Sequence, residues 1–430
     1  MTVQPTVAAS GRAHSGADRL GGELVVASRS AAAPLISLRV WLRGGAAVEP
    51  LHGLASLCGR MLGEGTSRSD WLEIANACET RGIGLSTGGG LETVGVAIDC
   101  LAEDFDRGVD LAAELLLESS FPDERLEWQR EQTVAELQSL ADQPEVRATW
   151  SFLDQLYHPH PLSRPLLGSP ESLATIDSAA CRTFHQESRQ RGGWIALVGA
   201  VDADTARRRL EQAFGSGLET WQEDDPGADG AGETAPPPGR DQRLCEVALP
   251  GSQQMHLFAG HLTVARTHDD AAALEVLGVV LGAGNGLNGR FPNRLREREG
   301  LGYVAHAHAI AGAGRAPGRF LVYLGTAPEN RARAERAIVE ELERLLDGGI
   351  TQQEFEDARS YLLGREAMRR ETVAQRADLL SEAIFFGRPW HDLQWARRRY
   401  ESLDRESVEA AMRRWLAVER LRWTVGIPAD

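Results

Sequence analysis

Two stretches of the sequence carry side chains whose types and spacing could support chemistry. Residues 284–303 read Gly-Asn-Gly-Leu-Asn-Gly-Arg-Phe-Pro-Asn-Arg-Leu-Arg-Glu-Arg-Glu-Gly-Leu-Gly-Tyr, with Arg296 seven residues before Tyr303. A guanidinium and a hydroxyl directed at developing negative charge supply the electrostatic stabilisation that acyl transfer needs. Residues 53–66 read Gly-Leu-Ala-Ser-Leu-Cys-Gly-Arg-Met-Leu-Gly-Glu-Gly-Thr, in which Ser56 is a weak metal ligand and Arg60 a permanent cation.

A structural interpretation of the Arg296 and Tyr303 pair stays open on the residues alone. Arg294 and Arg298 flank Arg296, so all three could lie on a solvated, charged helix. Tyr303 would then be a core residue. Exposed arginines are common in folded proteins, and base rates therefore favour this interpretation unless a longer pattern supports the pair.

Residues 53–66 resemble the metal-site helix of the insulinase/pitrilysin family of zinc peptidases, the inverted zincins. The family pattern is Gly-x-Ala-His-x-x-Glu-His-Met-Leu-x-x-Gly-Thr. The resemblance places Ser56 and Arg60 where two zinc ligands stand, and Gly59 where the general base stands. A hydroxyl, a missing side chain and a cation cannot replace two histidines and a glutamate, so we expect no metal in this chain.

The family's third zinc ligand lies 76 residues after the second histidine, and this spacing falls on Glu136 in Glu-Gln-Thr-Val-Ala-Glu-Leu. The position keeps its acid although the other ligands are lost. We hypothesise that Arg60 fills the empty site and pairs with Glu136, because a carboxylate buried without a metal or a cation is costly. The alternative is that both residues are ordinary solvated helix charges.

The second stretch resembles the family's Arg-Leu-x-x-x-Leu-Arg-x-x-x-Gly-Leu-x-Tyr segment, in which Arg296 and Tyr303 match the family's arginine and tyrosine pair. The resemblance implies that this pair acts in trans at the zinc site of a partner. There the arginine holds backbone carbonyls of the substrate and the tyrosine helps to stabilise the oxyanion. Glu64, Arg290 and Arg294 are further candidates for lining the chamber.

Other candidate residues carry less chemistry. His306 and His308 alternate on a predicted strand and share one face, a geometry that usually needs a third ligand to hold a metal. The glycines at 88–90 lack the strand-to-helix context of a phosphate loop and are predicted to form a turn. Trp128 and Trp150 occupy helical positions and are predicted to be core residues.

The elements that must position these residues occur twice along the chain, in the same order. Each half has an apolar strand, a small-residue helix, a further strand, a long amphipathic helix, a charged helical pair and a closing strand that ends in glycine. The ranges in the two halves are Leu35–Leu42 and Met255–Ala259, 53–62 and 270–281, 92–98 and 318–324, 104–117 and 328–346, 123–157 and 351–387, and Trp194–Gly199 and Leu421–Gly426. The pattern predicts an α+β fold.

The resemblance covers about residues 22–430. It implies two tandem homologous domains, each a mainly antiparallel sheet covered by helices, that form half of a clamshell. Residues 1–21 are predicted to be disordered, 22–216 to form the first domain and 243–430 the second. Residues 217–242 are acidic and rich in glycine and proline, which predicts an extended linker.

Composition bounds the partners. The 430 residues carry a net charge of −16, which argues against nucleic acid or an anionic membrane as a partner. The five cysteines include no Cys-x-x-Cys pair, and no apolar run reaches membrane-spanning length, so a cytoplasmic protein is expected.

The predicted function follows from the lost motif and the kept one. The resemblance implies a non-hydrolytic subunit of a heterodimeric zinc endopeptidase, inactive alone, whose homologous partner has an intact His-x-x-Glu-His and binds the zinc. The substrates would be peptides, and precursor peptides of modified natural products are one such class. The alternative is a structural or peptide-binding core-type subunit with no role in proteolysis.

Overall fold

The chain folds into two compact units. The computed structural model describes residues 23–26, 33–215, 237–283, 289–389, 392 and 394–429. The first unit takes its residues from Met1–Val134, Leu166–Pro226 and Arg369–His391, and the second from Ala135–Pro165, Gly227–Met368 and Asp392–Asp430. Within the described ranges, no helix is both long and apolar enough to cross a bilayer.

A five-stranded sheet forms the centre of the first unit. Its strands are β1 (Glu23–Val26), β2 (Leu35–Arg43), β3 (Gly84–Gly89), β4 (Thr93–Leu101) and β5 (Gly193–Gly199). They lie in the order β1-β5-β2-β4-β3, with β1 parallel to β5 and the other neighbours antiparallel. The apolar residues of β2 at alternate positions from Ile36 to Leu42 are fully buried, and Ser37 and Arg39 between them are also buried.

The second unit repeats this sheet strand for strand. Its strands are β6 (Leu244–Pro250), β7 (Met255–Leu262), β8 (Ala305–Ala311), β9 (Arg319–Thr326) and β10 (Arg422–Ala429). Their order is β6-β10-β7-β9-β8, and again only the first pair is parallel. The predicted repeat, the α+β class and the mainly antiparallel sheets are therefore confirmed.

Helices cover both sheets. In chain order they are α1 (Leu54–Met61), α2 (Trp71–Glu79), α3 (Phe105–Leu117), α4 (Asp123–Ala141), α5 (Pro144–Tyr157), α6 (Pro170–Leu173), α7 (Ser178–Gln190), α8 (Ala203–Phe214), α9 (Ala271–Leu281), α10 (Arg290–Pro292), α11 (Arg331–Gly348), α12 (Gln352–Met368), α13 (Val373–Phe385), α14 (Trp395–Glu401) and α15 (Arg405–Trp415). The predicted amphipathic helices correspond to α3 and α11. In α3, Val109, Ala112 and Leu116 are buried at helical spacing, which explains why this segment packs as a helix on its sheet.

Each unit includes one helix from the other half of the sequence. Helix α5 packs on β6, β7 and β10 of the second unit, where the Tyr157 hydroxyl donates to the carbonyl of Pro317 at 2.8 Å. Helix α13 packs on β2 and β5 of the first unit, where the Trp194 indole donates to Ser381 at 2.8 Å. The compact units therefore do not follow the linear ranges 22–216 and 243–430, because each sheet buries the apolar face of a helix that is distant in sequence.

Two further expectations meet the structure differently. The predicted disordered segment 1–21 and most of the predicted linker lie outside the described residues. The last residues of that linker are described, and they run along α5: the backbone N–H of Gly239 donates to the carbonyl of His158 at 3.1 Å. The predicted turn at 88–90 is wrong for Gly88 and Gly89, which end strand β3.

Candidate functional site

Helix α1 carries the positions that match the family's metal motif. Its N-terminus is held by Glu49, whose carboxylate oxygens accept from the backbone N–H groups of Gly53 and Ala55, each at 2.9 Å. A carboxylate at this end also complements the helix dipole. The helix is almost wholly buried, and even Ser56 has only 5% of its surface exposed.

Gly59, which the resemblance matches to the general base, lies against the backbone of strand β3. A Cβ atom added to Gly59 would lie 2.1 Å from the carbonyl carbon of Gly88 and 2.2 Å from the nitrogen of Gly89. A Cβ added to Gly89 would lie 1.9 Å from the carbonyl oxygen of Ala55. The two backbones are thus in direct contact, and no side chain fits at position 59 without moving the helix or the strand.

A pocket of about 530 Å³ opens beside this contact, within the first unit. Its lining includes Ser56, Arg60, Glu64, Thr87 and Gln129. A zinc ion does not fit this donor set, because a hydroxyl and a guanidinium stand at the ligand positions. Across the described ranges, no three side chains of His, Cys, Asp or Glu come together in a way that could hold a metal.

The carboxylate in the pocket, Glu64, is already engaged. One of its oxygens accepts from Arg125 at 2.5 Å and the other from Gln129 at 2.6 Å. Both charged partners are largely buried, with side-chain exposures of 12% for Glu64 and 18% for Arg125. The acid therefore stabilises the packing of helix α4 beside the pocket, which is the role that the structure assigns to this chamber candidate.

Glu136, which the family spacing predicts to match the third zinc ligand, is exposed on α4. The proposed pair with Arg60 rested on the free-energy cost of burying an unpaired carboxylate. An exposed Glu136 does not incur that cost. The pairing of Arg60 with Glu136 stays a prediction.

The second stretch forms two short helical turns. Arg296 lies on a π-helical turn over Asn293–Arg298, and its side chain is about one-fifth exposed and bonded to Glu297 at 2.8 Å. Such turns occur frequently at functional sites. Tyr303 has 86% of its surface exposed, so the alternative that it is a core residue is wrong.

The backbone before Tyr303 is tightly held. The N–H of Leu301 donates to the carbonyl of Leu295 at 2.9 Å, and the Thr326 hydroxyl donates to the carbonyl of Leu301. A Cβ added to Gly302 would lie 1.9 Å from the carbonyl oxygen of Gly325, so only glycine fits there. A fixed backbone thus presents an exposed phenol ring.

Two other arginines of this stretch have structural partners. Arg290 donates to both carboxylate oxygens of Glu354 at 2.7 and 2.8 Å, and to the carbonyl of Gly349. Arg294 pairs with Glu340 at 2.7 Å. Burial raises the pKa of the Glu354 carboxyl, but the hydrogen bonds from Arg290 and Thr351 and the charge of Arg290 together outweigh it and leave the pKa below its ordinary value. These two chamber candidates anchor the stretch in the second unit.

The predicted strand with His306 and His308 is confirmed as β8, and their rings lie 5.4 Å apart. Tyr323 stacks beside His306 at 4.9 Å, and its hydroxyl lies 2.9 Å from Nδ1 of His256. The pKa of His308 is lowered to about 4, mainly by burial, and the neighbouring His306 and Arg319 contribute to the same shift. The lowered pKa favours the neutral form of His308 at pH 7, and this ring, like that of His306, is half-buried.

Sequence reasoning missed two features of the first unit. The Gly59 contact needs a partner glycine 30 positions away, and the glycine run at 88–90 was its only signal in the sequence. The prediction that Trp128 is a core residue is wrong, since 43% of its surface is exposed. A ring at helical spacing does not reveal which face of the helix is covered.

Comparison with protein families matches both halves of the chain. The model described as insulinase (peptidase family M16) matches residues 24–170, and the model described as the peptidase M16 inactive domain matches residues 195–362.

Individual proteins agree with this result. An uncharacterized zinc protease of Mycobacterium tuberculosis is 27% identical over 92% of this chain and 89% of its own length. The non-peptidase homolog YmxG of Helicobacter pylori is 24% identical over 83% of this chain and 80% of its own. The solved structure of a peptidase M16 inactive domain from Pseudomonas fluorescens superposes with a TM-score of 0.83 and 24% identity, over 96% of this chain and 97% of that one. This last likeness concerns the fold.

Proposed function

Because the chain belongs to the insulinase (peptidase M16) family, we propose that it is a non-hydrolytic subunit of a heterodimeric zinc endopeptidase. The Gly59 contact carries this proposal. The general base is not merely substituted, since the space for its side chain is taken by the backbone of Gly88 and Gly89. A chain built this way needs a second chain to supply metal and base.

Tyr303 and Arg296 are the groups that this chain contributes. A phenol that is 86% exposed on a fixed backbone has no packing role, which supports a role toward another molecule. Its hydroxyl can donate to an oxyanion, and a guanidinium can donate to backbone carbonyls of a bound peptide. In this proposal both act at the zinc site of the partner and complete its substrate chamber.

The partner is a homologous subunit with an intact His-x-x-Glu-His, and the zinc belongs to that subunit. The substrates are peptides, with precursor peptides of modified natural products as one class. We place the complex in the cytoplasm, which agrees with all five cysteines being free thiols.

The test is peptide hydrolysis with zinc analysis, on this chain alone and after co-expression with a homologue that carries the intact motif. We expect the chain alone to be zinc-free and inert, and the pair to bind one zinc and cleave. Hydrolysis by the chain alone would overturn the proposal. If the pair cleaves equally well with Tyr303→Phe and Arg296→Ala, the chain is a structural or peptide-binding subunit instead.

A further inference from the structure

An exposed apolar surface lies on the first unit, formed by Trp71, Leu72 and Trp128. We call it the tryptophan patch. Trp71 and Leu72 begin helix α2 with 44% and 49% of their surfaces exposed, and Trp128 on α4 is 43% exposed. Tryptophan is among the residues most enriched at the energetic centres of protein interfaces, so two exposed indoles on adjacent helices call for an explanation.

The patch is held rigid from below by one cation. The guanidinium carbon of Arg125 lies 4.6 Å from the ring centre of Trp71 and 4.4 Å from that of Trp128. Arg125 is fixed in turn by Glu64 at 2.5 Å, and Gln129 holds the second oxygen of that carboxylate. Rings fixed in this way lose little conformational freedom when a partner binds, which favours affinity.

The charges around the patch are acidic on the outside. Glu124 and Glu131 lie four residues before and three after Trp128, so helical spacing places both carboxylates beside its ring. In the described part of the chain, neither carboxylate makes a hydrogen bond or an ion pair. The nearby Arg130 donates to the carbonyls of Leu173 and Ile176 and pairs with the carboxylate of Glu127, so its charge is already compensated.

We propose that the tryptophan patch is a docking surface for a basic segment of a partner polypeptide. An arginine or lysine of that segment stacks on Trp128 between Glu124 and Glu131, and a neighbouring apolar side chain covers Trp71 and Leu72. Indole faces attract cations, and the two carboxylates add charge complementarity. A second copy of this chain is disfavoured as the occupant, because each copy carries a net charge of −16.

Binding to labelled peptides tests this surface, with fluorescence anisotropy as the readout. The probes are two 12-residue peptides, one alternating arginine with leucine and one alternating glutamate with leucine. The variants are Trp128→Leu, Trp128→Phe and the pair Glu124→Gln with Glu131→Gln. The matched control is Glu79→Gln with Glu103→Gln, which removes the same charge from exposed positions elsewhere in the first unit.

We expect the basic peptide to bind and the acidic one not to bind. Trp128→Leu should weaken binding about tenfold and Trp128→Phe less, because a ring remains. The Glu124 and Glu131 pair should weaken it about threefold and flatten its salt dependence, whereas the control changes neither. The charge variants keep Arg125 and its contacts with Trp71 and Trp128, so they test the proposal even if Trp128→Leu unfolds the protein.

Two results would overturn the proposal. One is equal binding of the two peptides, or of wild type and the Glu124 and Glu131 variant. The other is a concentration-dependent dimer in sedimentation that Trp128→Leu dissolves, which would identify a second copy as the occupant.

Discussion

The two units make the same contact between a helix and an edge strand, and they use it differently. In the first unit α1 packs on β3, and in the second α9 packs on β8. A Cβ added to Gly59 of α1 would lie 2.1 Å from strand backbone, whereas one added to Gly278 of α9 would lie 3.5 Å from the nitrogen of Ala309. The first distance is impossible and the second is ordinary.

This difference shows that the fold does not require the tight contact. The second unit has the same sheet order with room for a side chain on its helix, so the contact at Gly59 is a property of the first unit's sequence. There Gly59, at a position that the resemblance matches to the family's metal motif, serves the packing of α1 on β3. In the second unit the side chain of Tyr303 is exposed, so packing does not explain why a tyrosine stands there.

The largest expected difference between the two units is in the stability of the variants Gly59→Ala and Gly278→Ala. The added methyl at position 59 meets backbone that cannot move cheaply, so we expect it to lower the free energy of unfolding by about 3 kcal/mol or more. At position 278 the methyl meets only ordinary contacts, and alanine favours the helix, so the change should be neutral or stabilising by up to about 1 kcal/mol. Urea unfolding measures both.

Gly59→Glu, which restores the general base, carries the same Cβ and should be at least as destabilising. Equal costs at positions 59 and 278 would mean that α1 can move away from β3, and the argument from packing would then fail.

Substitution of Tyr303 is expected to lower activity and leave stability unchanged, in contrast to substitution of Gly59. Tyr303→Phe should leave the free energy of unfolding within about 0.5 kcal/mol of wild type, because the hydroxyl is exposed. The turnover of the complex with the zinc-bearing subunit should fall by about 10²-fold. Kinetics and urea unfolding on the same preparations test both. A stability loss with unchanged turnover would return Tyr303 to a structural role.

The sequence predicted the repeat and the fold class because these depend on local periodicity. It predicted the order of strands and amphipathic helices along the chain, which both units share, but not the end of the last strand, since β10 continues past Gly426 to Ala429. It also located the stretch around Arg296, through a pattern that is continuous along the chain. The exposure of Tyr303 excludes the interpretation that it is a core residue, and its role toward a partner stays a prediction.

What the sequence could not predict depends on pairs that are distant along the chain. Helices α5 and α13 each pack on the sheet of the other half of the sequence. The apolar face of a helix does not show which of the two sheets it covers. The contact of Gly59 with Gly88 and Gly89 joins a helix to a strand whose glycines were predicted to be a turn. An exposed tryptophan such as Trp128 looks the same in sequence as a buried one.

Within the stretch that contains Arg296, Arg290 is expected to contribute to stability and not to activity. It is largely buried and holds Glu354 through two hydrogen bonds, so Arg290→Ala should destabilise the protein by about 2 kcal/mol. Arg298→Ala, a few residues further on, makes the control, and we expect a change of at most about 0.5 kcal/mol. If Arg290→Ala instead lowers turnover without changing the urea midpoint, this arginine belongs with Arg296 rather than with the scaffold.

The smallest expected effect is on the unfolding free energy in acid, where the half-buried ring of His308 should differ from the more exposed ring of His158. Burial lowers the pKa of His308 to about 4, below the ordinary value of 6.5, so the unfolded chain binds this proton more readily. Stability from the neutral ring is thus complete above pH 6.5 and is lost as the pH falls from 6.5 towards 4. A pKa shift of this size corresponds to ~3 kcal/mol, but His308 is partly exposed and solvent screening reduces the effect, so His308→Gln should reduce the pH dependence of the unfolding free energy across this window by about 1 kcal/mol. His158→Gln is the control, since its side chain is 40% exposed. An unchanged slope for His308→Gln would mean that this ring takes up its proton in the folded state without opening the sheet face around Tyr323.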